Sequence, residues 1–157
     1  MSNDFFHKLK LQFSPIRIAD PDFGDMTFMF VLKAPEKSYW EGKWTMPKTG
    51  ETIEVFLSGD QTGPYQGTRQ KVFELPDRVD HIMKAARPIL ERVFKSHLSQ
   101  VLPDDIFAAV KLTSFGVDDP KHVPITWDVS FEATGKRWVN ISIPFVGDVA
   151  QEPEVTT

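Results

Sequence analysis

Residues 127–143, WDVSFEATGKRWVNISI, constrain the fold more than any other stretch of the chain. Two segments that alternate apolar and polar residues flank Ala133, Thr134, Gly135 and Lys136, which is the pattern of a β-hairpin. With a period of two, Trp127, Val129 and Phe131 share one face, and Asp128, Ser130 and Glu132 share the other. On the returning strand Val139, Ile141 and Ile143 form the apolar face. That leaves Trp138 on the polar side with Asn140 and Ser142. A large aromatic there needs either a cover within the fold or a partner outside it.

The same patterning predicts the remaining elements. Leu9, Leu11 and Phe13 alternate with Lys8, Lys10 and Gln12 and predict a first strand. Turn formers from Asp20 to Asp25 precede Thr27 to Leu32, a segment apolar at both parities and therefore expected as a central strand covered on both sides. Trp40, Gly42, Trp44 and Met46 share a parity, as do Ile53, Val55 and Leu57 across a turn at Pro47 to Gly50, giving a second hairpin. Phe56 falls on its polar side with Thr52 and Glu54, repeating the oddity of Trp138.

Gly59 to Phe73 is rich in glycine and poor in apolar residues, which predicts a long mobile loop. From Asp77 to about Gln100 the apolar residues keep helical spacing. Asp77 is placed to cap the amino end, and Pro88 is expected to kink or divide the helix at a cost of about 3 kcal/mol. A short capped turn at Asp104 to Ala109 and a strand over Lys111 to Val117 lead through Asp118 to His122 into the hairpin. The expected fold class is α+β: a single domain over residues 1–146, with one twisted, mainly antiparallel sheet of six or seven strands and one long helix packed on one face. Residues 147–157 have too few apolar side chains to hold themselves down and predict a flexible acidic tail.

At 157 residues, 41% of them hydrophobic and 25% charged, the chain fits one ordinary soluble domain. A formal charge of −4 argues against nucleic-acid binding, which draws on clustered Lys and Arg, and suits a basic protein partner better. The absence of cysteine excludes disulfide scaffolding, thiolate catalysis and sulfur-ligated metals. The first residues lack a basic region followed by an apolar core, so no secretory signal is expected and a cytoplasmic address is the default. The apolar run Met26 to Leu32 falls far short of the roughly 20 residues that cross a bilayer as a helix, so no membrane association is expected.

Chemistry-bearing motifs are sparse. Gly59, Gly63 and Gly67 suggest a phosphate cradle, but their spacing is wrong for a P-loop and Gly67-Thr68-Arg69 lacks the lysine. His81 and His97 stand sixteen residues apart on the predicted helix, about 24 Å along a straight axis, and cannot share a metal. Asp118, Asp119 and His122 suit a solvated turn better than a cation site, so neither a metal nor a cofactor is expected. No Gly-x-Ser-x-Gly elbow occurs, and the adjacent pairs Asp104/Asp105 and Asp118/Asp119 point apart rather than share a proton. No catalytic set emerges.

Asp22-Phe23-Gly24-Asp25-Met26 before a strand, Trp40-Glu41-Gly42-Lys43, and Gly50-Glu51-Thr52-Ile53-Glu54-Val55, followed by a long helix and a closing hairpin, resemble a family of small uncharacterised bacterial domains. Some of its members are thought to be immunity proteins for toxins. The resemblance spans roughly residues 20–145, and its short Phe-Gly and Trp-x-Gly motifs point to close backbone packing, with no catalytic residues to carry over. It implies a non-enzymatic binding protein that neutralises a toxin by direct contact. The aromatics on polar strand faces, Trp138 and Phe56 beside Asp128, Glu132 and Glu54, supply the candidate binding residues, because aromatic anchors ringed by polar groups mark interface hot spots. The alternative is a small-molecule-binding protein or enzyme in which the 59–71 loop is a lid and Tyr65, Arg69 and His81 converge on a pocket. A structural subunit of a larger assembly is the third possibility.

Overall fold

The computed structural model describes residues 2–157. Helix α1 (Ser2–Phe13) is followed by strands β1 (Arg17–Asp20), β2 (Gly24–Met29), β3 (Tyr39–Thr45), β4 (Thr52–Asp60) and β5 (Gly63–Pro64). Helix α2 (Gln66–Val93) then runs into a π-helical turn at Phe94–Leu98. Strands β6 (Val110–Val117), β7 (Thr126–Ala133), β8 (Asn140–Val146), β9 (Val149–Ala150) and β10 (Glu154–Thr156) complete the chain. The ten strands form one open sheet in the order β1-β2-β3-β4-β6-β7-β8-β10, with β5 paired to β4 and β9 to β8.

The α+β class stands, but the sheet is larger than six or seven strands and it is mixed. β4 and β6 pair in parallel while the other ladders are antiparallel. Parallel neighbours need a crossover, and α2 supplies it. Its buried side chains, Val72, Leu75, Ile82, Met83, Ala86, Ile89, Leu90 and Val93, pack on one sheet face. That face is built from the apolar parity of each strand, including Ile53, Val55 and Leu57 of β4, Trp127, Val129 and Phe131 of β7, and Ile141 and Ile143 of β8. Trp127 stacks on Phe145 with centroids 4.1 Å apart, and its indole N–H donates to the Gly147 carbonyl at 2.8 Å, so its one polar atom is satisfied.

Several local expectations are corrected. Residues 9–13 are helical, not a strand: nothing in α1 is β-branched, and His7 and Leu11, one turn apart, both engage the fold. The His7 ring hydrogen-bonds Gln61 at 3.1 Å and Leu11 is buried. β2 is not central but second from the edge, with alternating rather than two-sided burial. The segment 59–73 is not a long loop, because β5 forms and α2 begins at Gln66, eleven residues before Asp77. The Tyr65 carbonyl accepts from the Thr68 and Arg69 amides, and the Thr68 hydroxyl donates to the Ser58 carbonyl at 3.1 Å, tying the first turn to β4. Asp77 is therefore inside the helix, where it pairs with Lys48. Pro76 and Pro88 both lie within α2.

Residues 147–157 also depart from expectation, since β9 and β10 pair with β8. Arg78 pairs with Asp148 and Arg92 with Glu152 at 3.5 Å, so two of the three acidic residues of this segment meet cations on α2. The Phe-Gly and Trp-x-Gly motifs come together in space. A side chain at Gly42 would put its Cβ 3.0 Å from the Phe23 carbonyl and 3.0 Å from Met26, so close packing accounts for that glycine.

Candidate functional site

α2 covers one face of the sheet, and the opposite face is lined by the polar parity of its strands. Across its middle the register aligns Glu41 of β3, Phe56 of β4, Gly116 of β6, Asp128 of β7 and Pro144 of β8 in one row. The next row aligns Lys43, Glu54, Ser114, Ser130, Ser142 and Glu154. A register shift between Leu112 and Ser114 adds a residue to β6, so Lys111, Thr113 and Ser114 all line this side.

Three adjoining depressions mark the surface. One of about 630 Å³ lies between Glu54, Lys111 and Glu132. A second of about 450 Å³ is bounded by Tyr39, Asp118, Asp128 and Pro144. The third, of about 460 Å³, lies between Asp25, Glu41 and Lys43. Phe56 lines all three. Its ring is half-buried and meets Tyr39 edge-on at 6.1 Å. Around it stand six carboxyl side chains, Asp25, Glu41, Glu54, Asp118, Asp128 and Glu132, against three lysines, Lys37, Lys43 and Lys111.

Asp128 is the most unusual member of the set. Burial pushes its carboxyl above the ordinary range, and the Asp118 and Glu154 charges push the same way, while a hydrogen bond with the Gly116 backbone opposes them. Gly116 makes the placement possible, since a Cβ there would lie 2.3 Å from an Asp128 carboxyl oxygen. A glycine inside a strand pattern signals such a close approach, and Gly116 is the site residue that the parity argument passed over.

No family model, curated protein or solved structure matches this chain. The site is therefore judged on its own geometry. Of the residues expected from the sequence, Phe56, Glu54 and Glu132 share the first depression, and Phe56 and Asp128 share the second. Trp138 lines none of the three. It lies in the turn between β7 and β8, outside the strand it was assigned to, and is 51% exposed, so the fold does not supply its cover.

Tyr65 and Arg69 lie elsewhere, at the start of α2. Arg69 donates to Asp20 at 2.6 and 3.2 Å and to Asp22 at 2.6 Å, and its guanidinium stands over the Phe23 and Phe73 rings at 4.9 and 5.9 Å. Burial works to raise the Asp20 carboxyl pKa, yet Arg69 and the Asp22 and Phe23 amides hold it below the ordinary value. Arg69 thus clamps the β1–β2 turn to the helix. Tyr65 is half-buried as the residue preceding α2, and burial, Asp119 and Asp60 raise its phenol pKa. His81 is exposed on α2. The three do not converge, and the 59–71 segment is a tight turn, a short strand and the opening of a helix rather than a lid. Asp118 accepts from the Thr126 hydroxyl, and Asp119 caps its turn by accepting from the Lys121 amide at 2.9 Å.

Proposed function

We propose that this chain is a non-enzymatic protein-binding domain that covers a basic partner with the helix-free face of its sheet, in the manner of a bacterial immunity protein occluding a toxin. The observation that carries this is the position of Phe56, one half-buried aromatic at the junction of three depressions ringed by twice as many carboxyl groups as lysines. A central aromatic with a polar surround is the arrangement of an interface hot spot. The carboxylate excess supplies complementarity to a cationic surface. Such a protein acts by steric cover, so it needs no catalytic group.

The test uses the full chain as bait in lysate of its host, followed by reconstitution of the purified pair. Hydrogen exchange is expected to show protection at residues 54–58, 114–116 and 128–132. Phe56→Lys is expected to weaken the pair by about 30-fold or more, the scale of a hot-spot loss of 2 kcal/mol. A partner whose protection falls on α2, or which binds the Phe56→Lys variant unchanged, overturns the proposal.

A further inference from the structure

The depression between Tyr39, Phe56, Asp128 and Pro144 is lined by a half-buried carboxyl, that of Asp128. Asp128 lies against Gly116, the cross-strand partner whose missing side chain leaves room for the carboxyl. No lysine or arginine among the described residues pairs with it, and it accepts a hydrogen bond from the Gly116 backbone. Asp118, just past β6, and Glu154 on β10 add negative charge beside it. On the remaining side of the cavity stand Lys37 and the Tyr39 phenol. Holding a partly desolvated carboxylate beside two further carboxylates costs stability, and the Gly116 backbone hydrogen bond offsets only part of that cost.

We infer that this depression is a binding site for a single arginine side chain, whose guanidinium would lie on the Asp128 carboxylate between the Phe56 and Tyr39 rings and Pro144. The inference rests on the reading of this face as a protein-binding surface and names the group that the partner inserts there. Three features select a guanidinium. Its planar fork donates two parallel hydrogen bonds edge-on to one carboxylate, and Asp128, set against Gly116, supplies that carboxylate. Its faces are weakly hydrated and stack on aromatic rings, which form two of the walls. Its positive charge answers a local field that Asp118 and Glu154 make more negative. A volume of about 450 Å³ admits the head group and its methylene stem.

The site is testable without the partner. N-acetyl-arginine amide, with N-acetyl-citrulline amide as its neutral counterpart, is titrated into the ¹⁵N-labelled full chain and followed by amide shifts. Saturable shifts centred on Phe56, Gly116 and Asp128 are expected for the arginine probe, with at least tenfold weaker binding of citrulline. Asp128→Asn, which keeps the side chain's size and removes only its charge, is expected to lose at least tenfold in arginine affinity. Gly116→Ala, which displaces the carboxyl, gives a second and independent loss. Arginine affinity should also rise with pH as Asp128 ionises, and Asp128→Asn should flatten that rise. Equal binding of the two probes, non-saturating shifts, or arginine affinity unchanged by Asp128→Asn each overturns the inference. Failure here leaves the partner footprint on this face standing, whereas saturable arginine binding with a partner footprint on α2 keeps the site and removes the wider reading.

Discussion

At the scale of single residues, strand parity placed Trp127 in the core, but Trp138 lies outside the strand on which its parity was read. Trp127 is buried against Phe145, whereas Trp138 is half-exposed in a turn. The same parity put Asp128 on the outer face, where its burial carries a consequence for stability. The folded carboxyl has a pKa above its ordinary value, so the folded state binds a proton more readily than the unfolded chain. Stability from this group is therefore full below the unfolded pKa and is lost as pH rises through the folded one. Asparagine has no such transition. Asp128→Asn should raise Tm at pH 7, by about 2–4 °C for each kcal/mol of charge burial relieved, and should give no gain near pH 3. Thermal unfolding followed by circular dichroism at the two pH values checks the sign. A variant less stable than the wild type at pH 7 would show that the carboxylate is compensated in the fold.

At the scale of elements, the closing hairpin, the β3–β4 hairpin and the body of α2 were legible because their apolar residues repeat at the period of the structure they form. What was not legible shares a cause. The opening of α2 carries few apolar residues, and its stability comes from Thr68 bonding to β4 and from Arg69 clamping Asp20 and Asp22, contacts with residues distant in sequence. Residues 147–157 read as solvated because they carry too few apolar side chains to hold themselves down, yet Asp148 and Glu152 meet countercharges on α2, Arg78 and Arg92. The candidate site divides the same way: Phe56, Glu54 and Glu132 follow from parity, but the pairing of Gly116 with Asp128 depends on a register that no single strand encodes. Pairing of β9 and β10 with β8 has a measurable outcome. Amides within 149–156 should exchange about 10²–10³-fold more slowly than in a free chain, the protection of a locally opening edge element, and Arg78→Ala should reduce it. Exchange at the free-chain rate would return this segment to a flexible tail.

At the scale of the whole molecule, the helix divides the sheet into a sealed face and an accessible one, and the charge is divided with it. The linings around Phe56 hold six carboxyl groups against three lysines on the face opposite α2. α2 in contrast directs Arg78 and Arg92 at the closing strands, where they are occupied. An asymmetry of this kind acts through the approach of a partner more than through the final contacts. Charges on an accessible face steer encounter and are screened by salt, while a desolvated central aromatic governs escape. The association rate with a basic partner should therefore fall about tenfold between low and physiological ionic strength, and Glu54→Lys with Glu132→Lys should flatten that slope. Phe56→Ala should leave the slope intact and speed dissociation. Surface plasmon resonance over a salt series separates the two rates. An association rate indifferent to salt would place the encounter away from the acidic face, even if Phe56 still lay within the final footprint.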